Sequence, residues 1–252
     1  MIETRNVVKR HGSTTVLHGV NVQIPAGQFT AIIGPNGAGK STLLSMVSRL
    51  EPMTSGSAHV AGRDVATTAS DALAQVMAIL RQDNQSALRL TVRDLVGFGR
   101  FPHSKGRMTA DDVRHVQEAL DFLQLSDLAD RYLDALSGGQ RQRAYIAMVL
   151  AQDTPYILLD EPLNNLDMAH AVHMMKLLRR LVSERGKTVV VVLHDINFAS
   201  CYADHIVAMK DGRVAHAGGP LAVVRDEVLS ALYGIEVSVH EVKGQRLCHY
   251  FA

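Results

Sequence analysis

Apolar positions along this chain fall into two alternating patterns. Short apolar runs end at turn residues, and between them apolar residues recur every three or four positions. Phe29–Ile33 reads as a buried strand that Gly34 ends. Met77–Leu80 and residues 156–159, 189–193 and 205–209 read the same way. A helix is expected over residues 40–50. A second is expected over 168–184, with Val172, Met175, Leu178 and Leu181 on one face. Strand, helix and strand in this rhythm predict βαβ units and a mostly parallel sheet.

Two regions break the rhythm. Between residues 91 and 150 no strong strand signal occurs, and Val113, Val116, Leu120 and Leu123 repeat at helical spacing. That block reads as a helical insertion between two halves of an α/β core. Near the amino terminus Val16, Val20, Val22 and Ile24 alternate weakly, which suggests antiparallel strands. Val237, Val239 and Val242, then Lys243-Gly244, then residues 247–251 suggest a final hairpin. The expected organisation is one domain over 1–252. A core with a β subdomain takes up 1–90 and 151–220, a helical subdomain 91–150, and a closing helix and hairpin 221–252.

Composition narrows the picture. The chain has 252 residues, 47% of them apolar, enough for one sizeable core. A net charge of +1 without a basic stripe argues against a nucleic-acid partner. No run approaches the ~18 apolar residues that cross a bilayer, so a membrane role would come through a partner. The opening residues lack an apolar leader, and Cys201 and Cys248 lie far apart, so a reducing cytosolic setting is expected. Among twelve histidines only His170 and His173 sit one helical turn apart. Without a further ligand nearby they make a poor metal site.

The chemistry concentrates in three places. Gly34, Pro35, Asn36, Gly37, Ala38, Gly39, Lys40, Ser41 and Thr42 fit G-x-x-x-x-G-K-[ST], after a strand and before a helix. Glycines let backbone amides curl around phosphate oxygens at the positive end of a helix dipole. Lys40 should reach the β- and γ-phosphates, and Ser41 should ligate Mg²⁺. The apolar run 156–159 ends in Asp160 and Glu161, at the strand end where α/β ligands bind. Asp160 is the candidate Mg²⁺ holder, and Glu161 could polarise an attacking water. Alone, both acids could equally cap the next segment. Leu136, Ser137, Gly138, Gly139 and Gln140 then open a helical run. Ser137 is a good N-cap, and in isolation an ordinary cap is the first reading.

Taken together, GPNGAGKST, LSGGQ and ILLDE resemble the nucleotide-binding subunit of ABC transporters, over most of the chain. The resemblance implies an α/β P-loop NTPase (RecA-like) core with N-terminal antiparallel strands and an inserted α-helical subdomain. It also implies ATP and Mg²⁺ as ligands. By resemblance, Gln82 in Leu80-Arg81-Gln82-Asp83 is the Q-loop glutamine, close to the metal and to the transmembrane partner. Asp167 in Asn164-Asn165-Leu166-Asp167 is the D-loop acid. His194 is the switch histidine, although a lone histidine at a strand end is more often structural. His11 stands where the family often stacks a tyrosine on adenine. The family pairs two copies head to tail, so Leu136–Gln140 would complete the partner's ATP site.

One cassette without a membrane domain resembles bacterial importers. The implied partners are a second copy, permease subunits and, indirectly, an extracytoplasmic substrate-binding protein. The implied place is the cytoplasmic face of the membrane. Gly99-Arg100-Phe101-Pro102-His103, Leu166-Asp167-Met168-Ala169-His170 and His194-Asp195-Ile196-Asn197 resemble the siderophore, haem and vitamin B12 branch. Asn164-Asn165 resembles ferric-siderophore ATPases, with catecholate cargo a possible subclass. Alternatives are a haem, vitamin B12 or metal-ion importer, or a soluble ABC ATPase outside transport.

Overall fold

The computed structural model describes residues 1–82, 88–164 and 166–251. Long amino-terminal strands β1 (Ile2–His11) and β2 (Thr14–Ile24) pair antiparallel. Then come β3 (Phe29–Ile33), helix α1 (Lys40–Val47), β4 (Ser55–Val60), β5 (Arg63–Asp64), α2 (Ser70–Ala74) and β6 (Met77–Leu80). The inserted block holds α3 (Val92–Phe98), α4 (Phe101–Ser104), α5 (Ala110–Phe122) and α6 (Gly138–Ala151). The chain returns with β7 (Tyr156–Asp160), α7 (Met168–Arg185), β8 (Thr188–Val192), α8 (Ile196–Tyr202), β9 (His205–Lys210) and β10 (Arg213–Gly218). It closes with α9 (Pro220–Val223), α10 (Asp226–Tyr233), β11 (Ser238–Val242) and β12 (Gln245–His249).

Six strands form the central sheet in the order β10-β9-β3-β8-β7-β6. All neighbours in it are parallel except the edge strand β10, which runs antiparallel to β9. Successive strand residues face opposite sides, so the sheet divides two cores. Ile157, Leu159, Val189 and Val191 face the inserted helices. Leu158, Val190, Val192 and Ile32 face α1 and the four-stranded sheet β2-β1-β4-β5. Both faces are covered, which explains why β7 and β8 are buried at every position.

Three sequence expectations need correction. Helix α1 stops at Val47 rather than residue 50, because Arg49 turns to φ 57° just beyond the Ser48 cap. On α5, Val113 is 54% exposed, whereas Val116, Leu120 and Leu123 are buried as expected, with Ala119 beside them. On α7, Ala171, Met174 and Leu177 join Met175, Leu178 and Leu181 in the core, while Val172 is only half-buried. Helix α5 packs on α3 and α6, and α7 packs on β8 and α8, so each is covered over a stripe wider than a single i, i+3, i+4 row.

The inserted helices are tied down by one buried ion pair. Arg100 Nε donates to Asp112 at 2.9 Å, and its Nη1 donates to the Ala151 carbonyl at 2.8 Å. Asp112 also caps α5 reciprocally with Thr109. The Thr109 amide and hydroxyl, and then Arg100, hold this carboxyl down at about 2. At the tail, β11 and β12 form a two-stranded hairpin outside both larger sheets.

Candidate active site

The phosphate loop is shaped by close backbone packing. Gly34 ends β3 at φ 144°, and a Cβ there would stand 2.0 Å from the Met209 carbonyl oxygen of β9. Gly39 caps α1 at φ 93°, where a Cβ would meet the Leu17 side chain at 2.7 Å. Neither place admits a side chain. Lys40 is buried, and its Nζ donates to the carbonyls of Gly34 at 2.9 Å and Pro35 at 3.0 Å. Burial pushes its ammonium below the usual lysine range, against the attraction of Glu161 and Asp160. Ala38 is 2% exposed and its amide donates to Pro35 at 3.2 Å, closing the loop.

Parallel strand β7 delivers the acids. Ser41 Oγ donates to Asp160 Oδ1 at 2.8 Å. Burial pushes the Asp160 carboxyl up, and the neighbouring Glu161 charge adds to this, so an ionised Asp160 lacks a full counter-charge. The Ser41 hydroxyl and this carboxylate are hard oxygen donors one hydrogen bond apart, a pair that suits Mg²⁺. Among the described residues no group of three His, Cys, Asp or Glu side chains is placed to hold a metal ion.

Glu161 is the most constrained side chain here. Its backbone sits at φ 51°, a left-handed conformation that costs a non-glycine residue about 1–3 kcal/mol. Three side chains converge on its carboxylate. His194 Nε2 lies 2.7 Å from Oε1, Gln82 Nε2 donates to Oε2 at 2.8 Å, and Asn164 Nδ2 donates to Oε2 at 2.6 Å. His194 comes from the end of β8, Gln82 from beyond β6 and Asn164 from the turn after β7.

A cavity of about 390 Å³ opens between these groups. Asn36, Gly37, Gly39, Lys40, Ser41 and Thr42 line one side, and Gln82, Glu161 and His194 line the other. Val16 of β2 completes the lining, a residue that sequence reasoning placed only in a strand. His11 does not line this cavity. It lies at the end of β1, 55% exposed, with Nε2 3.7 Å from Glu51. The contact of Asn164 with Glu161 was also missed, although its position three residues on, within one turn, is the available signal.

The signature residues lie elsewhere. Leu136 is buried, whereas Ser137 and Gly138 are exposed and do not line the cavity. Ser137 Oγ accepts from the Gln140 amide at 3.3 Å, and Gln140 Oε1 accepts from the Ser137 amide at 3.0 Å. This reciprocal cap starts the 14-residue α6. A Cβ on Gly139 would stand 3.0 Å from the His170 ring, which joins this helix start to that of α7. Asp167 caps α7, accepting from the His170 amide and ring nitrogen, each at 2.8 Å. Asp83 and Asn165, quoted in the Q-loop and D-loop motifs, lie outside the described residues.

Known proteins resemble this chain. The family model for ABC transporters matches residues 17–164. The chain is 53% identical over 252 residues to the petrobactin import ATP-binding protein YclP of Bacillus subtilis (strain 168), covering 100% of each. It is 42% identical over 231 residues to the ferric enterobactin transport ATP-binding protein FepC of Escherichia coli (strain K12), covering 91% of this chain and 85% of FepC. Among solved structures it resembles the ATP-binding cassette MJ0796, a dimer in a post-hydrolysis state bound to ADP and Pi. The TM-score is 0.77 and the identity 33%, over 87% of this chain and 99% of MJ0796. With two parallel-sheet acids, a phosphate loop and a separate capped glycine pair on one chain, this similarity has a single reading: the chain belongs to the ABC transporter family, as one of its ATP-hydrolysing cassettes.

Proposed function

We propose that the chain is the motor subunit of a bacterial importer for ferric siderophores, seated on a permease at the cytoplasmic face of the membrane. The observation that carries the hydrolytic part is the convergence of His194, Gln82 and Asn164 on Glu161, across a cavity from Lys40. The cargo class rests on the end-to-end similarity to YclP.

In this reading the triphosphate lies along the loop 34–42, with its β- and γ-oxygens drawing Lys40 away from the Gly34 and Pro35 carbonyls. The phosphates supply the negative charge that this buried ammonium lacks. Ser41 and Asp160, with Gln82 nearby, would hold Mg²⁺, which would supply positive charge to offset that of the phosphate oxygens. Glu161 accepts a proton from water as the water oxygen bonds to the γ-phosphorus. The bond from that phosphorus to the β,γ-bridging oxygen breaks, and ADP and phosphate result. His194 holds the Glu161 carboxylate and donates toward the γ-phosphate.

One chain presents donors on only part of this site. A second copy, turned head to tail, brings Ser137 and the Gly138 and Gly139 amides to the remaining side, and Asp167 comes with them. We place the permease contact at the apolar groove of about 610 Å³ between α3, α4 and α5. Phe98, Phe101 and Met108 there are 51%, 59% and 44% exposed. Among the described residues no helix is long and apolar enough to cross a membrane. A substrate-binding protein would act through that permease.

The test is uptake of radioiron carried by petrobactin, a catecholate, a hydroxamate or haem, in iron-starved cells that lack this gene. Loss of uptake for one siderophore, restored by the wild-type gene and not by Glu161→Gln, is expected. Normal uptake of every siderophore with haem uptake lost would overturn the cargo class.

A further inference from the structure

A two-stranded hairpin is marginal by itself and depends on what it packs against. Here β12 lies along α8, the short helix that begins two residues after His194. The contact is a matched set of bonds. Asn197 Oδ1 accepts from the Cys248 amide at 2.7 Å, and Asn197 Nδ2 donates to the Cys248 carbonyl at 3.3 Å. The side-chain amide thus pairs with β12 as a neighbouring strand would. One helical turn on, Ser200 Oγ donates to the Arg246 carbonyl at 2.6 Å. Alternate residues of β12 therefore meet successive turns of α8.

The hairpin itself is anchored independently. Arg246 Nη1 donates to the Leu221 and Val224 carbonyls, and the Val239 amide donates to Asp226 at 3.0 Å. Cys248 and Val237 are buried in the core that faces the inserted helices. Tyr233, at the end of α10, brings its buried hydroxyl beside the Gly34 amide without a full hydrogen bond. The tail thus reaches the backs of both the phosphate loop and the switch.

We propose that Asn197 is a positioning residue for hydrolysis, fixing α8 to the anchored hairpin so that His194 stays in register with Glu161. A seven-residue helix has little stability of its own, so its place is set by what it is bonded to. Displacement of a catalytic contact by about 1 Å costs on the order of 10²-fold in rate. The inference rests on the ATPase reading above.

The experiment uses the purified full chain, with steady-state kcat, KM for ATP and thermal melting. Asn197→Ala is expected to lower kcat roughly tenfold and leave KM within about twofold, because the phosphate loop is untouched. A residue that only stabilises the fold would lower the melting temperature with kcat per folded molecule unchanged, and that result overturns the proposal. A second variant guards against loss of folding. Asn197→Asp keeps the acceptor for the Cys248 amide but sets a carboxylate against its carbonyl. It loses the donor while keeping the fold's other anchors, so its kcat per folded molecule should also fall while KM for ATP holds within about twofold. A kcat per folded molecule equal to wild type also overturns the proposal. Wild-type chain without ATPase activity would instead refute the reading beneath it.

Discussion

The chain has two glycine-rich helix starts, and they are finished to different degrees. At the start of α1, Lys40 is buried against its own loop, Ser41 is bonded to Asp160, and a cavity of about 390 Å³ faces Glu161. At the start of α6, Ser137 and Gly138 are exposed, and Ser137 and Gln140 are bonded to each other. The first is preorganised by packing from β2, β3, β7 and β9. The second is a capped helix end that presents its donors outward. On the proposed reading, the contrast is a division of labour in which one copy binds nucleotide through the first start and a partner copy supplies the second. The dimeric MJ0796 cassette, bound to ADP and Pi, is in keeping with that division.

The sharpest way to break the contrast is at Glu161. Glu161→Gln keeps the carbonyl acceptor and the shape, so ATP binding should persist while turnover falls by ~10²-fold or more, measured by phosphate release. Near-normal turnover would remove Glu161 as the base. Next comes Ser137→Ala. Turnover should fall by about tenfold or more, the worth of one hydrogen bond to a charged group, with nucleotide binding by the single chain unchanged. The lost cap should also cost about 1 kcal/mol of stability. Reduced ATP affinity in the single chain would contradict the division of labour.

The smallest effect on turnover per folded molecule is expected from Asp112→Asn. It leaves Arg100 buried without its counter-charge, which should destabilise the inserted helices by about 3 kcal/mol while ATP affinity holds within about twofold. It also carries a pH signature. Asp112 is held at about 2 in the fold, below its ordinary range. Its contribution is therefore present above about pH 4 and is lost as pH falls toward about 2. Acid unfolding followed by helical signal should lose that dependence in the variant.

Local sequence determined the parts whose physics is local. The phosphate loop, the acids after β7, the Ser137 cap and the strands β3, β6, β7, β8 and β9 were legible, because each is written in consecutive residues. The antiparallel amino-terminal strands and the final hairpin were legible for the same reason. Tertiary structure decided what depends on meeting across the chain. It set Asn164 and Gln82 on one carboxylate oxygen, brought Val16 into the cavity beside the phosphate loop and left His11 beside Glu51. It exposed Val113 of α5, left Val172 of α7 half-buried, and added Ala119, Met174 and Leu177 to faces whose other members the spacing had found. It also joined Asn197 to Cys248, 51 positions apart. Periodicity reports which residues share a face, but not which distant backbone that face will meet.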